Sequence, residues 1–290
     1  MQPQTMGSPR RAPTESQNTA LITLLADEDP VVYRVVRETI LGRGTPARDW
    51  IRPYAWSPDR LLRSRAREIL RQFEARDADV RFLAFCLRHG GHFDLETAGW
   101  LLAATAEPEL SVEGYRALLD DCTAQFRPGV PASGSARQVL GAFHEFFFGE
   151  LGFRGEEPPD FRFDNGYLNR VLDRRAGDPV HLVWIYLLLA RRRRLPIAAI
   201  ELPGYCLCRY QSSAEELYID VFRGGRLMDK SECMELLVQP REDLSPEILA
   251  PASARRIVIR SCEHLHRGYR QLGSEDEALR IRRYLVALRA

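Results

Sequence analysis

The sequence has almost no lysine. Lys230 is the only one and every other basic residue is arginine, so Lys+Arg of 41 against Asp+Glu of 40 leaves a formal net charge of +1 over 290 residues. A near-neutral chain lacks the overall basic field of a general nucleic-acid or anionic-membrane binder. The arginine excess itself is read as coding bias in a GC-rich genome. No apolar run approaches the roughly 18 residues that a bilayer span needs. Residues 1–18 contain Pro3, Pro9, Pro13 and two arginines but no apolar h-region. They read as a disordered tail, neither signal peptide nor anchor. No CxxC pair is present. Cys86, Cys122, Cys206, Cys208, Cys233 and Cys262 sit in apolar or helical contexts. That pattern points to reduced, mostly buried thiols in a cytoplasm and away from a disulfide framework. A phosphate-cradling glycine loop and a GxSxG elbow are also missing.

What the chain does have is apolar content, 45% of its residues. This excludes a disordered protein and allows a full core in two or three small domains. From Ala20 to Phe73 apolar residues recur at helical spacing, with Val31, Val32, Val35, Val36 and Ile40 the clearest stripe. Asp29-Pro30 and Ser57-Pro58-Asp59 are helix starts. The two helix pairs resemble HEAT-type repeats. Helical stripes continue from Asp77 to Phe126 and from Val139 to Phe148, so residues 19–155 are expected to be helical and HEAT-like. Residues 156–240 change character. A helix over Leu168–Arg175, a break at Gly177-Asp178-Pro179 and a long apolar helix over Val180–Arg193 precede three strands, Ile197–Leu202, Tyr205–Tyr210 and Leu217–Phe222. Residues 241–290 are expected to be a loop and a helical hairpin broken near Gly273-Ser274, with a tetratricopeptide-like pattern. The fold class is therefore α+β, predominantly helical, around a small helix-plus-antiparallel-sheet core.

Residues 164–228 carry the most specific signal. The segment from Asp164 to Pro179, the Ala190–Pro196 helix end, Leu202-Pro-Gly-Tyr-Cys-Leu-Cys-Arg-Tyr210 and Tyr218-Ile-Asp-Val-Phe-Arg-Gly-Gly225 follow one another in order. This order of blocks resembles the SirB-type transglutaminase-like family, a bacterial branch of the papain-like transglutaminase superfamily, over roughly residues 18–290. The resemblance implies a helical N-terminal region, the core, a tetratricopeptide-like tail and a Cys-His-Asp triad. Carried onto this chain, the nucleophile position falls on Pro179, or on His181 after a two-residue shift. The base position, after Pro203-Gly204, falls on Tyr205. The third member falls on Asp220, where the family's Asp-Pro-Phe reads Asp220-Val221-Phe222, and the following Asn is Arg223. Thioester chemistry needs a thiolate and a base. Proline offers no nucleophile, and an ordinary tyrosine is a poor base at neutral pH.

Other candidates carry a plain and a sharp reading. Cys206 and Cys208 alternate on a strand, so both face one side. They are small core residues, a Zn or Cu(I) site with His181, or a relocated nucleophile acting with His181 and Asp220. His181 on an apolar helix face is by default a hydrogen-bonded core histidine. His264-Leu-His266 reads as surface, because positions i and i+2 do not share a helix face. His89 and His92 flank Gly90-Gly91 without companions. Arg191–Arg194 read as a cap on a helix C-terminus or as an anion contact. Together these observations predict a non-catalytic transglutaminase-like protein that binds a protein or peptide through Asn169, Arg174, Arg175, Tyr205, Arg209 and Arg223. The alternative is a hydrolase or acyltransferase on Cys206 or Cys208. No cofactor, metal, nucleic-acid or membrane partner is expected.

Overall fold

Helix α9 (Pro179–Arg192) is apolar almost all round, and ten of its fourteen residues are buried. A helix of that kind belongs inside a core. In the computed structural model, which describes residues 15–88, 93–126, 134–156, 166–213, 215–237 and 246–290, α9 is the axis around which the larger part of the chain packs. His89, His92, Asp164 and Asn165 lie outside the described residues.

The chain divides after Ala78 into two compact units. This differs from the expected division at 155, because α5–α7 share one core with α9 and the sheet. The first unit holds α1 (Glu15–Leu25), α2 (Pro30–Gly42), α3 (Thr45–Ile51), a 3-10 turn (Arg52–Trp56) and the start of α4 (Arg60–Cys86). Helix α1 begins at Glu15, inside the stretch expected to be a disordered tail. Asp29 caps α2, accepting from Val31 N at 2.7 Å with Pro30 in the first turn. Helix α4 is one 27-residue element where two helices were expected, since nothing between Phe73 and Val80 breaks a helix. The core of this unit includes Leu25, Val36, Ile40, Ile51, Ala66 and Ile69.

The second unit continues with α5 (Leu95–Ala106), α6 (Val112–Gln125) and α7 (Ala136–His144), which runs into a π-helical turn (Glu145–Glu150). Strands β1 (Arg154–Gly155) and β2 (Ala176–Gly177) pair in parallel and flank α8 (Leu168–Arg174). Gly155 is needed there: a Cβ would meet the Phe222 carbonyl oxygen at 2.5 Å. After α9 come β3 (Ile197–Leu202), β4 (Tyr205–Gln211), β5 (Glu216–Asp220) and β6 (Arg226–Met228), an antiparallel meander in that order. Strand β6, α10 (Lys230–Leu237) and the β1–β2 pair were not expected from the sequence. The sheet is buried on both faces, which is why its strands read as near-continuous apolar runs. Cys206, Cys208 and Ile219 join the α9 core. Ile200, Leu202, Leu207 and Tyr218 pack with Met228, Cys233 and Leu249 on the other face. Helices α11 (Ala254–Gln271) and α12 (Glu275–Arg289) form the expected hairpin, turning at Gly273 with φ +69°.

Candidate functional site

The N-terminus of α9 is held by Asp178. Its carboxylate accepts from the backbone N–H groups of Val180 and His181, each at 2.9 Å, the usual role of an Asp N-cap. The same carboxylate lies 3.0 Å from Nδ1 of His181 and 3.3 Å from Nδ1 of His264 on α11. Nε2 of His181 lies 2.8 Å from the Ser261 hydroxyl, which in turn sits 3.4 Å from the Gly166 carbonyl oxygen. Burial by itself would raise the Asp178 carboxyl. The charge and hydrogen bonds of His181, with the charge of His264, bring it down to about 2. His264, expected at the surface, is thus part of this buried cluster.

Asp178, His181 and Ser261 have the order and spacing of a Ser-His-Asp relay. Their surroundings argue against its use in that way. His181 and Ser261 are fully buried. The helix N-terminal amides that would receive an oxyanion are already bonded to Asp178. Ser261 is not among the residues that the sequence singles out. Its signal is a polar residue on the apolar stripe Ile257, Val258, Cys262, Leu265 of α11.

A second constellation sits at the ends of β4 and β5. The Tyr205 hydroxyl donates to Asp220 Oδ1 at 2.8 Å, and Arg223 closes over the pair. Its backbone N–H donates to Asp220 Oδ1 at 3.1 Å, its guanidinium lies 3.6 Å from Oδ2, and its Cζ is 5.7 Å from the Tyr205 ring centroid. Asp220 is buried, Tyr205 partly buried and Arg223 exposed.

The remaining candidates fall elsewhere. Cys206 and Cys208 point into the core against α9. Burial pushes Cys206 up to about 12, with Asp178 and Glu201 adding to the rise, and lifts Cys208 well above its ordinary value. Neither imidazole nitrogen of His181 is given to a cysteine: both are taken by Asp178 and Ser261. Among the described residues no three His, Cys, Asp or Glu side chains form a group that could hold a metal ion. Asn169 is buried and donates to Glu107 at 3.0 Å. Arg174 pairs with Glu156. Arg175, in the left-handed region at φ +54°, ends α8 and lays its guanidinium 4.9 Å from the Phe153 centroid. Arg209 is held by Gln211 and Glu216. In the arginine run, Arg191 pairs with Asp94, and Arg192 with Glu96 and Asp120. Of the six binding candidates, only Arg223 is exposed, and it lies against the partly buried Tyr205.

A helix capped by a buried carboxylate, leading into an antiparallel meander with a Tyr–Asp pair at its end, defines a helix-led α+β core. The chain belongs to the transglutaminase-like superfamily, whose family model matches residues 113–263. It is similar to a UPF0162 protein of Xylella fastidiosa, 29% identical over 192 residues that cover 64% of this chain and 68% of that protein. A UPF0162 protein of Pseudomonas aeruginosa is 30% identical over 142 residues, 48% of this chain and 52% of its own length. Mouse F-box only protein 21 is 31% identical over 110 residues, 35% of this chain and 18% of that protein. No solved structure matches. No helix among the described residues is long and apolar enough to cross a membrane.

Proposed function

We propose that this chain is a non-catalytic member of the superfamily, of the SirB type, that binds a protein or peptide at the end of the β4–β5 pair. The observation that carries the reading is the Tyr205–Asp220 hydrogen bond. In the positions where the resemblance puts base and orienter, a phenol is tied to a buried carboxylate. An ordinary phenol is a poor base at neutral pH, and this one already gives its hydroxyl proton to a carboxylate. The helix start at Pro179 offers no nucleophile. The exposed Arg223 guanidinium beside the Tyr205 ring then supplies a charged and aromatic contact suited to a partner surface.

A hydrolase is the second reading, favoured by the Asp178–His181–Ser261 spacing. Burial of both the hydroxyl and the imidazole weighs against it. The cysteine version has less support, because buried thiols held protonated are poor nucleophiles.

Two assays test the proposal. Incubation with a glutamine peptide and a fluorescent primary amine, and with quenched peptide substrates, is expected to give no more turnover than heat-denatured protein; turnover by the native chain overturns the non-catalytic half. A photocrosslinking residue placed at position 223 is expected to capture a discrete protein from a bacterial lysate, and the band is expected to weaken in the Tyr205→Ala background. Failure to capture anything counts against the binding half.

A further inference from the structure

Many arginines of this chain are paired with carboxylates. Arg192, Arg256 and Arg283 all have carboxylate partners. The α11–α12 hairpin gathers several that are not. Arg267 and Arg270 on α11 and Arg282 on α12 are exposed and make no side-chain ion pair or hydrogen bond among the described residues. All three line one groove of about 840 Å³. The groove is built by helical periodicity. Positions 263, 266, 267, 270 and 271 form one face of α11, and 282, 285, 286 and 289 one face of α12. The same face of α12 carries Leu285, buried, and Val286, which is 64% exposed. At one end Arg289 pairs with Glu263.

We propose that this groove docks an acidic, amphipathic peptide segment of a partner protein, a second surface independent of the Tyr205–Arg223 site. The charge decides the sign of the ligand: guanidinium groups take carboxylates in bidentate pairs. The distribution decides its size. On α12, Arg282 and Arg289 stand seven residues apart, about 10 Å of helix. One small anion cannot reach guanidiniums at both ends, whereas carboxylates spaced along a chain can. The lining decides between peptide and nucleic acid. Val286 offers an exposed apolar point for a leucine-like anchor, and no Phe, Tyr or Trp lines the groove to stack bases.

The test uses the full chain and fluorescence anisotropy of a short fluorescein-labelled peptide rich in leucine and glutamate. Three further probes are a leucine–lysine version, a glutamate-only version and a single-stranded oligonucleotide of matched charge. Saturable binding of the leucine–glutamate peptide is expected, weakened roughly tenfold or more in Arg267→Ala/Arg270→Ala/Arg282→Ala and weakened by added salt. Val286→Asp is expected to weaken it as well, and Arg223→Ala to leave it unchanged. Circular dichroism confirms that each variant, changed only at exposed positions, is folded. The proposal is overturned by no binding to the native chain, by equal binding to the triple variant, or by the glutamate-only peptide or the oligonucleotide binding as tightly as the leucine–glutamate peptide.

Discussion

Asp178 holds two roles at once, helix cap and hydrogen-bond partner of His181, and its titration reports on both. Its folded-state value of about 2 lies below the roughly 3.9 of an unfolded aspartate. The stability it contributes is therefore fully present above pH 4 and is lost as pH falls from 4 toward 2, on the order of 2 kcal/mol. Asp178→Asn keeps a capping side chain but removes the charge. It is expected to cost about that much at pH 7 and to flatten the acid limb of the stability curve below pH 4, measured by urea unfolding across pH. His144 titrates in a higher window. Burial lowers it to about 4 from 6.5 while its Nε2 stays 3.0 Å from the Tyr186 hydroxyl. Stability tied to its neutral form is present above pH 6.5 and is lost as pH falls through 4. His144→Gln is expected to remove the pH dependence between 6.5 and 4; an unchanged slope there would show that the buried imidazole is not its source.

At the scale of elements, periodicity and end signals were legible where they were local. Strand β3 has the expected limits, and Asp29-Pro30 opens a helix as expected. Helix α9 stands within a residue of its expected span because its apolar run is bounded by Asp178-Pro179 and the arginines. Short or context-dependent elements were not legible. Strand β6 has three residues and the β1–β2 pair two in each strand, so their pairing depends on a partner far along the chain. The α4 break expected after Phe73 rested on an interruption of the apolar stripe, but Glu74, Ala75 and Arg76 are good helix formers and carry the helix across. Ala75→Pro distinguishes the two arrangements. In one continuous helix it is expected to cost about 3 kcal/mol and reduce the helical circular dichroism signal. A near-neutral effect would mean that a helix starts there.

Across the whole molecule, the site was legible only in part. The Tyr205–Asp220 pair follows from the order of blocks that carries the resemblance, since both residues lie within quoted motifs. Ser261 and His264 join Asp178 from a helix more than 80 positions downstream, and no local pattern announces that meeting. The reading of Cys206 and Cys208 turns on burial, which strand alternation cannot supply alone: β4 is covered on both faces. All six cysteines are buried. The large core around α9 makes their exposure a global event. Leu189→Ala, at a fully buried position of α9, is expected to lower unfolding stability by about 2–5 kcal/mol and to raise thiol reactivity throughout the second unit.

The proposed non-catalytic role requires that no side chain of the native fold be a working nucleophile. Intact-mass spectrometry of the native protein, after brief exposure at neutral pH to a thiol alkylator and separately to a fluorophosphonate, tests it most directly. An unmodified mass is expected in both cases, with full thiol labelling only after denaturation. A rapid single adduct mapped to Cys206, Cys208 or Ser261 would contradict it.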